Sequence, residues 1–451
     1  MIMKLCKYIL LAASLLAFNL GATAQSRNSY FMEGSYFRNE LNPALAPSQG
    51  YVAVPLISGL GMNLNSNFLA VNNFFFERNG KVVTALHESV SADDFLGKLP
   101  NKNKLAANFN FNLFGGGFYH KNTFWNFGAN LRSVSDMNIS KDIFTALKTL
   151  GNGTYDLSNT SLSTKEYAEI YVGHSRNILD WVTVGAKVKF LVGIGNALVD
   201  IDQMQATIGR EQVAAHMRGL IRANGVFINS SGAKAGDEIS DEVFTSGLIF
   251  GSYGAAVDLG AEVRLLDNRL RVSGAITDLG FIGWSSKSRL EANIKGDFEY
   301  NGINFDTGEA DIKSESGLYV EGNTGKGYAT RLNCALNFGA EYNILDDRIG
   351  FGLLSHTEFC QTMSFTELTA SANFRPLNWL SATLSHTLCN RNRFGVMGFA
   401  LNLHATGVNF FVGADYMGLG MVKYADTSIP RNMKSTNFYM GLGFGLGNKK
   451  K

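Results

Sequence analysis

Apolar and polar positions alternate with a period of two along most of this chain. Leu105, Ala107, Phe109, Phe111 and Leu113 are separated by Asn108, Asn110 and Asn112. Val182, Val184, Ala186, Val188 and Phe190 alternate with Thr183, Gly185, Lys187 and Lys189, and Phe438, Met440, Leu442, Phe444 and Leu446 with Tyr439, Gly441, Gly443 and Gly445. Each segment therefore has one greasy face and one polar or small face, as a strand does when its two sides meet different surroundings. Strands of soluble sandwiches average ~5–6 residues. These run to about ten or more, the length that a tilted strand needs to cross a bilayer. The pattern predicts an all-β fold, a transmembrane antiparallel β-barrel of about fourteen strands, an even number as single-chain bacterial barrels require.

The joins between strands are of two kinds. Short turn signals stand at His120-Lys121-Asn122, Leu179-Asp180, Leu266-Asp267-Asn268, Leu345-Asp346-Asp347, Pro376-Leu377-Asn378 and His404-Ala405-Thr406, and long joins span 195–250 and 283–327. Short turns on the periplasmic side and long loops outside describe an outer-membrane barrel, and an even strand count puts both termini in the periplasm. In the outer loops, Ser91 with Asp94 fits a capping box ahead of Phe95, Leu96 and Leu99. Ser140 can cap a helix that carries Ile143, Phe144, Leu147 and Leu150 and ends at Gly151. These loop residues (Phe95, Leu96, Leu99, Ile143, Phe144 and Leu147) are candidates for apolar capture. Phe298–Phe305 reads as a hairpin turning at Asn301-Gly302, and a parity change between Val396 and Phe399 reads as a bulge.

Ahead of the strands the pattern changes. Residues 1–24 combine Lys4 and Lys7, an apolar run from Tyr8 to Leu20 and small residues at Ala22, Thr23 and Ala24, the build of a secretory signal peptide. Residues 25–58 are irregular but rich in Tyr36, Phe37, Leu41, Leu45 and Tyr51. Irregular backbone cannot lie in lipid, so this segment is expected to fold into the lumen as a plug (hatch). Asn42, Pro43 and Ala44 should form a fixed turn against the wall, with residues 59–451 making the barrel. Glycines at 441, 443, 445 and 447 would leave room for its backbone.

Composition removes other classes. Mean hydropathy is -0.01 with 45% hydrophobic residues, and charged residues are 17%, below the ~25% usual for soluble domains. A net charge of +2 gives no electrostatic case for nucleic acid. Cys334, Cys360 and Cys389 would remain after cleavage, an odd number. Cys360 and Cys389 fall at the outer ends of adjacent hairpins, which leaves a disulfide between them open. No catalytic residue, cofactor or metal site is expected. Ser385 and His386 are neighbours and so face opposite sides of a strand, and His356 with Glu358 reads as polar lining. The inward positions Arg132, Glu169, Lys187, Lys189, Asp258, Glu262, Arg264, Arg271, Arg331, Glu341, Glu367 and Asp415 mix both signs, which suits a lumen laced with ion pairs. Glu169 and Lys189 are expected to form one of them.

The tripeptide Asn42-Pro43-Ala44, shortly after a signal peptide and ahead of these strands, resembles the FadL-type transporters of hydrophobic compounds. That resemblance implies an N-terminal hatch inside the barrel. Ser29–Ser35 leading into Arg38–Pro47, with Ser89–Gly97 and Gly173–Arg176, resembles an uncharacterised Bacteroidota family of outer-membrane barrels over nearly the whole chain. More distantly the chain is similar to PorV-type barrels of the type IX secretion system, without the glycine-rich segment that those carry before Asn-Pro-Ala. The resemblances imply passage or binding of a small hydrophobic or amphipathic compound or, alternatively, a structural barrel that docks a surface or secretion protein. Outer-membrane lipid and lipopolysaccharide are the expected surroundings.

Overall fold

A computed structural model of the chain describes residues Arg27–Asn448, apart from 56–57, 59, 80, 150–152, 210–212, 231–233, 240–247, 304–309, 322–325, 362–363, 390–391, 406, 418–420, 425–426 and 431–434. The signal peptide expected over 1–24 and the helix stop expected at Gly151 lie outside the described residues, as does the side chain of Cys389.

Fourteen antiparallel strands close into one barrel. The first is broken in two, β1 (Gln49–Ala53) and β2 (Leu60–Ser66). It is followed by β3 (Lys102–His120), β4 (Thr123–Ser140), β5 (Thr160–Leu179) and β6 (Val182–Ile208). Beyond β6 the chain makes β7 (Val213–Gly225), which stands outside the ring, then the wall strands β8 (Tyr253–Leu265) and β9 (Leu270–Trp284). A hairpin of β10 (Arg289–Ile303) and β11 (Ala310–Val320) again leaves the ring. The wall resumes with β12 (Tyr328–Arg331) and β13 (Cys334–Ile344), two halves of one strand. It is completed by β14 (Ile349–Phe359), β15 (Ser364–Leu377), β16 (Leu380–Cys389), β17 (Asn392–Ala405), β18 (Val408–Met417) and β19 (Ser435–Asn448). β19 pairs with both halves of the first strand, Ala53 opposite Gly443 and Leu60 opposite Met440, and so closes the ring.

The wall thus begins at Gln49, not after Ser58. The expected plug boundary missed β1 because its five residues do not alternate cleanly: Gln49, Gly50, Tyr51 and Ala53 are all buried and only Val52 is exposed. Seven steps of chain from Ala53 to Leu60 span three on β19, so the first strand is interrupted there, although Val54 N still donates to Leu442 O at 3.0 Å.

Alternation fixes the two faces. Val188, Phe190, Phe281, Phe338 and Phe351 are more than half or about half exposed on the outside, whereas Lys187, Lys189, Asn337 and Glu341 are buried inside. Trp125, Trp181 and Trp379 are 39%, 50% and 46% exposed and all sit by the short turns. An apolar band edged by aromatic residues is what a bilayer-spanning wall presents. Among the described residues no helix is long and apolar enough to cross a membrane.

At the other end the sheet outgrows the barrel. The near half of β6 pairs with β8, through Val192, and its far half pairs with β7. β7 pairs with β10 and β10 with β11, giving an outer sheet with its own core of Leu290, Ala292, Ile294, Leu318 and Val320. The hairpin does not turn at Asn301-Gly302. β10 runs through both to Ile303, which faces Ala310, so Asn301-Gly302 occupies an irregular stretch of strand instead. The bulge read in β17 is also elsewhere. Val396, Gly398, Ala400 and Asn402 stay on one face, and the extra residue lies opposite, in β18, where Met397–Phe399 faces Ala414–Met417.

The two helices expected in the outer loops form at the long-loop end. α1 (Ala92–Leu96) is capped by the Ser91 side chain accepting from Asp94 N, and α2 (Lys141–Lys148) by Ser140 accepting from Asp142 N.

Candidate functional site

The described chain starts inside the barrel. Arg27–Ser48 touches side chains from wall strands on every side, and most of its residues are buried. The Arg27 and Asn28 amides both donate to the Asp415 carboxylate, at 3.0 and 3.1 Å, and Arg27 Nε meets Glu367 at 2.9 Å. Asp415 and Glu367 lie near the long-loop ends of β18 and β15, so the segment descends from there to Gln49 at the short-turn end. The first described residues thus lie near the long-loop end of the lumen, and the segment runs from there to the short-turn rim.

The wall satisfies the segment's irregular backbone. Asn337 Nδ2 donates to Leu41 O (2.8 Å), Asn409 Nδ2 to Gly34 O (2.8 Å), Arg375 Nη2 to Phe31 O (2.7 Å) and Lys187 Nζ to Asn39 O (3.3 Å). A buried carbonyl left unpaired would be costly, which gives these inward asparagines and cations a role. Aromatic rings continue the contact: Tyr36 stacks on Tyr51 at 4.4 Å, and Phe37 meets Phe411, which stacks on Tyr439 at 5.2 Å.

Asn42, Pro43 and Ala44 form a local turn. Asn42 Oδ1 accepts from Ala44 N and Asn42 O from Leu45 N, both at 2.9 Å, and Asn39 Nδ2 donates to Pro43 O. This turn lies directly on Gly185 and Gly260. A Cβ on Gly185 would overlap the Pro43 carbonyl, and one on Gly260 the Asn42 side chain.

A buried charge cluster surrounds Lys189. Its Nζ is 2.6 Å from Asp278, 2.9 Å from Asp258 and 3.9 Å from Glu169, and Arg132 Nε is 3.1 Å from Glu169. Glu169 and Lys189 do meet, but at the longest of these distances, because Lys189 stands directly opposite Tyr171. Asp278 was not among the inward positions read from alternation. Val257–Leu259 of β8 faces Ile276–Leu279 of β9, so β9 carries an extra residue, and Thr277 and Asp278 are both buried. The β18 bulge does the same for Asp415 and Tyr416. Consecutive polar residues inside an alternating strand are the signal that such a bulge leaves in sequence.

Two cavities flank the segment. A chamber of about 40 Å³ on the long-loop side is lined by Glu40, Asn63, Asn110, Arg132, Asp278 and Asn333 among others. A vestibule of about 740 Å³ opens at the short-turn rim beside Asn122, Asn268 and Asp347 and is lined by Arg38, Leu45, Pro47 and Thr183. Arg38 and Glu40 belong to one helical turn, Arg38–Leu41. That turn therefore touches both spaces, Glu40 the chamber and Arg38 the vestibule.

The candidate capture residues are mostly not on offer. Phe95 and Leu99 are buried with Phe68, Phe76 and Val90, and Leu96 and Phe144 pack against them. Their helices fold onto each other and consume the apolar faces, which leaves Ile143 half-buried and Leu147 58% exposed. His356 bonds Asn337 Oδ1 through Nδ1, and Glu358 takes Asn108 and the Cys360 thiol instead. Among the described residues no group of three His, Cys, Asp or Glu could hold a metal ion.

A family profile described as a family of unknown function, DUF5723, matches residues 43–415. A search of curated proteins gives no match. Among solved structures the chain is similar to the Ralstonia pickettii toluene transporter TbuX, at 10% identity and TM-score 0.40, covering 95% of this chain and 98% of that one. It is also similar to a Pseudomonas aeruginosa FadL homologue (7%, 0.41, 95% and 99%) and to the P. putida toluene transporter TodX (9%, 0.35, 91% and 92%). At identities and scores this low, the likeness says nothing of what this barrel passes.

Proposed function

The chain belongs to the family of unknown function DUF5723, and from its lumen we propose that it is an outer-membrane barrel that passes or binds a small amphipathic compound, with residues 25–48 as its gate. The carrying observation is that one helical turn of the plug, Arg38–Leu41, reaches both spaces, with Glu40 lining the chamber and Arg38 the vestibule. A local shift of that turn would change the lining of both spaces at once. The polar, ion-paired lining favours an amphipathic over a wholly hydrophobic cargo, since a bare hydrocarbon gains nothing from groups that must stay hydrated or paired. In this reading residues 1–24 are the export signal, the long-loop end faces outwards, and membrane lipid with lipopolysaccharide covers the apolar band.

The test compares vesicles that hold the full chain with vesicles that hold the chain lacking residues 26–48. Faster entry of a small amphipathic solute through the shortened chain, with a folded barrel on an unboiled gel, supports a gate. Equal, negligible entry through both overturns it.

The outer sheet favours a second reading, in which the barrel docks a surface partner. β7, β10 and β11 stand outside the ring with a core of their own, and a pore alone has no need of them.

A further inference from the structure

Arg38 stands apart from the other buried and half-buried arginines of the lumen; Arg176, which also lines the vestibule, is exposed. Arg27, Arg132, Arg264, Arg271 and Arg375 each lie within 4 Å of a carboxylate. Arg38 is 5% exposed, and among the described residues it makes no ion pair and donates no hydrogen bond; its Nε has no partner. Glu262 and Glu33 act on it only from beyond ion-pair distance. The first is held by Arg264 at 3.0 Å and the second by Arg271. A guanidinium taken from water and left unpaired is costly, and this one faces a space of about 740 Å³ that reaches the rim.

The same space has an apolar side. Leu45, Ala46, Pro47 and Tyr119 line it, and Tyr119 is fixed there by donating to Pro47 O at 2.6 Å. Ser175 and Thr183 add hydroxyls to the lining, that of Thr183 already held by Asn177 and Arg264. Pockets that take small molecules have volumes of this order and orient the ligand with a few placed polar groups. Here the apolar wall adjoins a charged lining that includes Glu262, Arg264 and Arg271. Arginine presents a planar fork that matches a carboxylate.

We propose that the vestibule is a binding site for a small organic anion with an aromatic or otherwise flat apolar body, whose carboxylate Arg38 takes while the body lies along Leu45, Pro47 and Tyr119. This rests on the amphipathic reading above and names its chemical class. Bound there, the anion would neutralise the vestibule face of the Arg38–Leu41 turn of the plug.

The test uses the purified full chain in a non-ionic detergent, with benzoate and its uncharged counterpart benzamide as probes in calorimetric titration. Benzoate is expected to bind more tightly than benzamide by about tenfold or more, the factor that one charge-assisted hydrogen bond supports. Arg38→Gln should erase that preference, and Arg38→Lys should restore part of it. Phenylglyoxal labelling of the unsubstituted chain, mapped by mass spectrometry, keeps the test independent of how the variants fold: benzoate should slow modification of Arg38 and benzamide should not. Equal affinity for the two probes, a preference that survives Arg38→Gln, or labelling of Arg38 indifferent to benzoate would each make it a solvated guanidinium only and overturn the proposal. No transport is measured here. Binding without the vesicle result would remove the gate and leave the site, and the reverse would remove the site alone.

Discussion

Lys189 Nζ lies 2.6 Å from Asp278 Oδ1, and Asp278 reaches it through a backbone φ of +57° inside a strand. A non-glycine residue with positive φ is uncommon and costs energy that its surroundings must over-determine. Here the extra β9 residue brings a second carboxylate beside Asp258, whose Oδ1 accepts from Asp278 N at 2.7 Å. Lys189 is the cation that these two acids and Glu169 share. Removing one member of a buried pair typically costs ~3–5 kcal/mol, because the remainder is left buried and uncompensated. Lys189→Met should therefore lower barrel stability by an amount of that order, and Asp278→Asn by less, since Asp258 stays 2.9 Å from the ammonium. Denaturant midpoints of the folded barrel in micelles would check the order. A Lys189→Met barrel as stable as the unsubstituted one would mean that the cluster is hydrated and not a structural core.

The bilayer placement predicts a depth dependence. Phe338 is 59% exposed in the middle of β13, and Phe338→Arg should cost ~2–4 kcal/mol if it meets the bilayer midplane, against ~0–1 kcal/mol near an interface. Leu345, in the short turn after β13 and 65% exposed, is the interfacial comparison. Leu345→Arg should be nearly neutral in lipid vesicles. Asn337→Arg is not a mild control for the inner face, because Asn337 is fully buried and holds Leu41 O. Equal costs at 338 and 345 would remove the bilayer from the outer face.

The start of the plug is held by a clamp that can be loosened alone. Arg27 Nε pairs with Glu367, its guanidinium also contacts Tyr416, and Asp415 takes two backbone amides. Arg27→Ala should free the first residues of the segment while Asn42–Ala44, docked on β6 and β8, stays in place. Limited proteolysis of the folded barrel should then trim the chain near residues 27–30 and stop well before residue 42. Trimming that runs on to the wall would show the plug to be one cooperative unit.

Alternation made the barrel legible, because in a wall with lipid on one side and lumen on the other every residue reports its face. It failed where the ladder is interrupted. Asp278 and Tyr416 sit at bulges and change face with them, and β1, five residues long, is too short to show a period. Asn42, Pro43 and Ala44 could be picked out because their turn chemistry is local. Arg38 could not, since what sets it apart is the absence of a carboxylate from another strand, which no local pattern records. The loop helices were readable from their caps, but the fate of their apolar faces was not, because Phe95 and Phe144 meet only in three dimensions, with ring centroids 6.2 Å apart.

The last prediction concerns the seat of the plug. Gly185 lies under Pro43, and a Cβ there would overlap the Pro43 carbonyl and the Ala44 nitrogen. Those are backbone atoms, so no rotamer change relieves the clash. Gly185→Val should therefore lift the Asn42–Ala44 turn off β6 while the valine itself suits a strand. The readout is a cysteine placed at Ala44, which is 3% exposed, and labelled with a maleimide reagent in the folded barrel. With Gly185 intact the label should enter slowly. With Gly185→Val it should enter at the rate of an unprotected thiol, and leakage of small solutes from vesicles should rise with it. Gly153→Val is the control, because a Cβ there meets only the Tyr155 ring at 3.9 Å, and it should change neither. Fast labelling without leakage would separate the seat from the seal: the turn would be dispensable for closure, and the clamp at Arg27 and the aromatic stack on Tyr36 would have to hold the lumen shut.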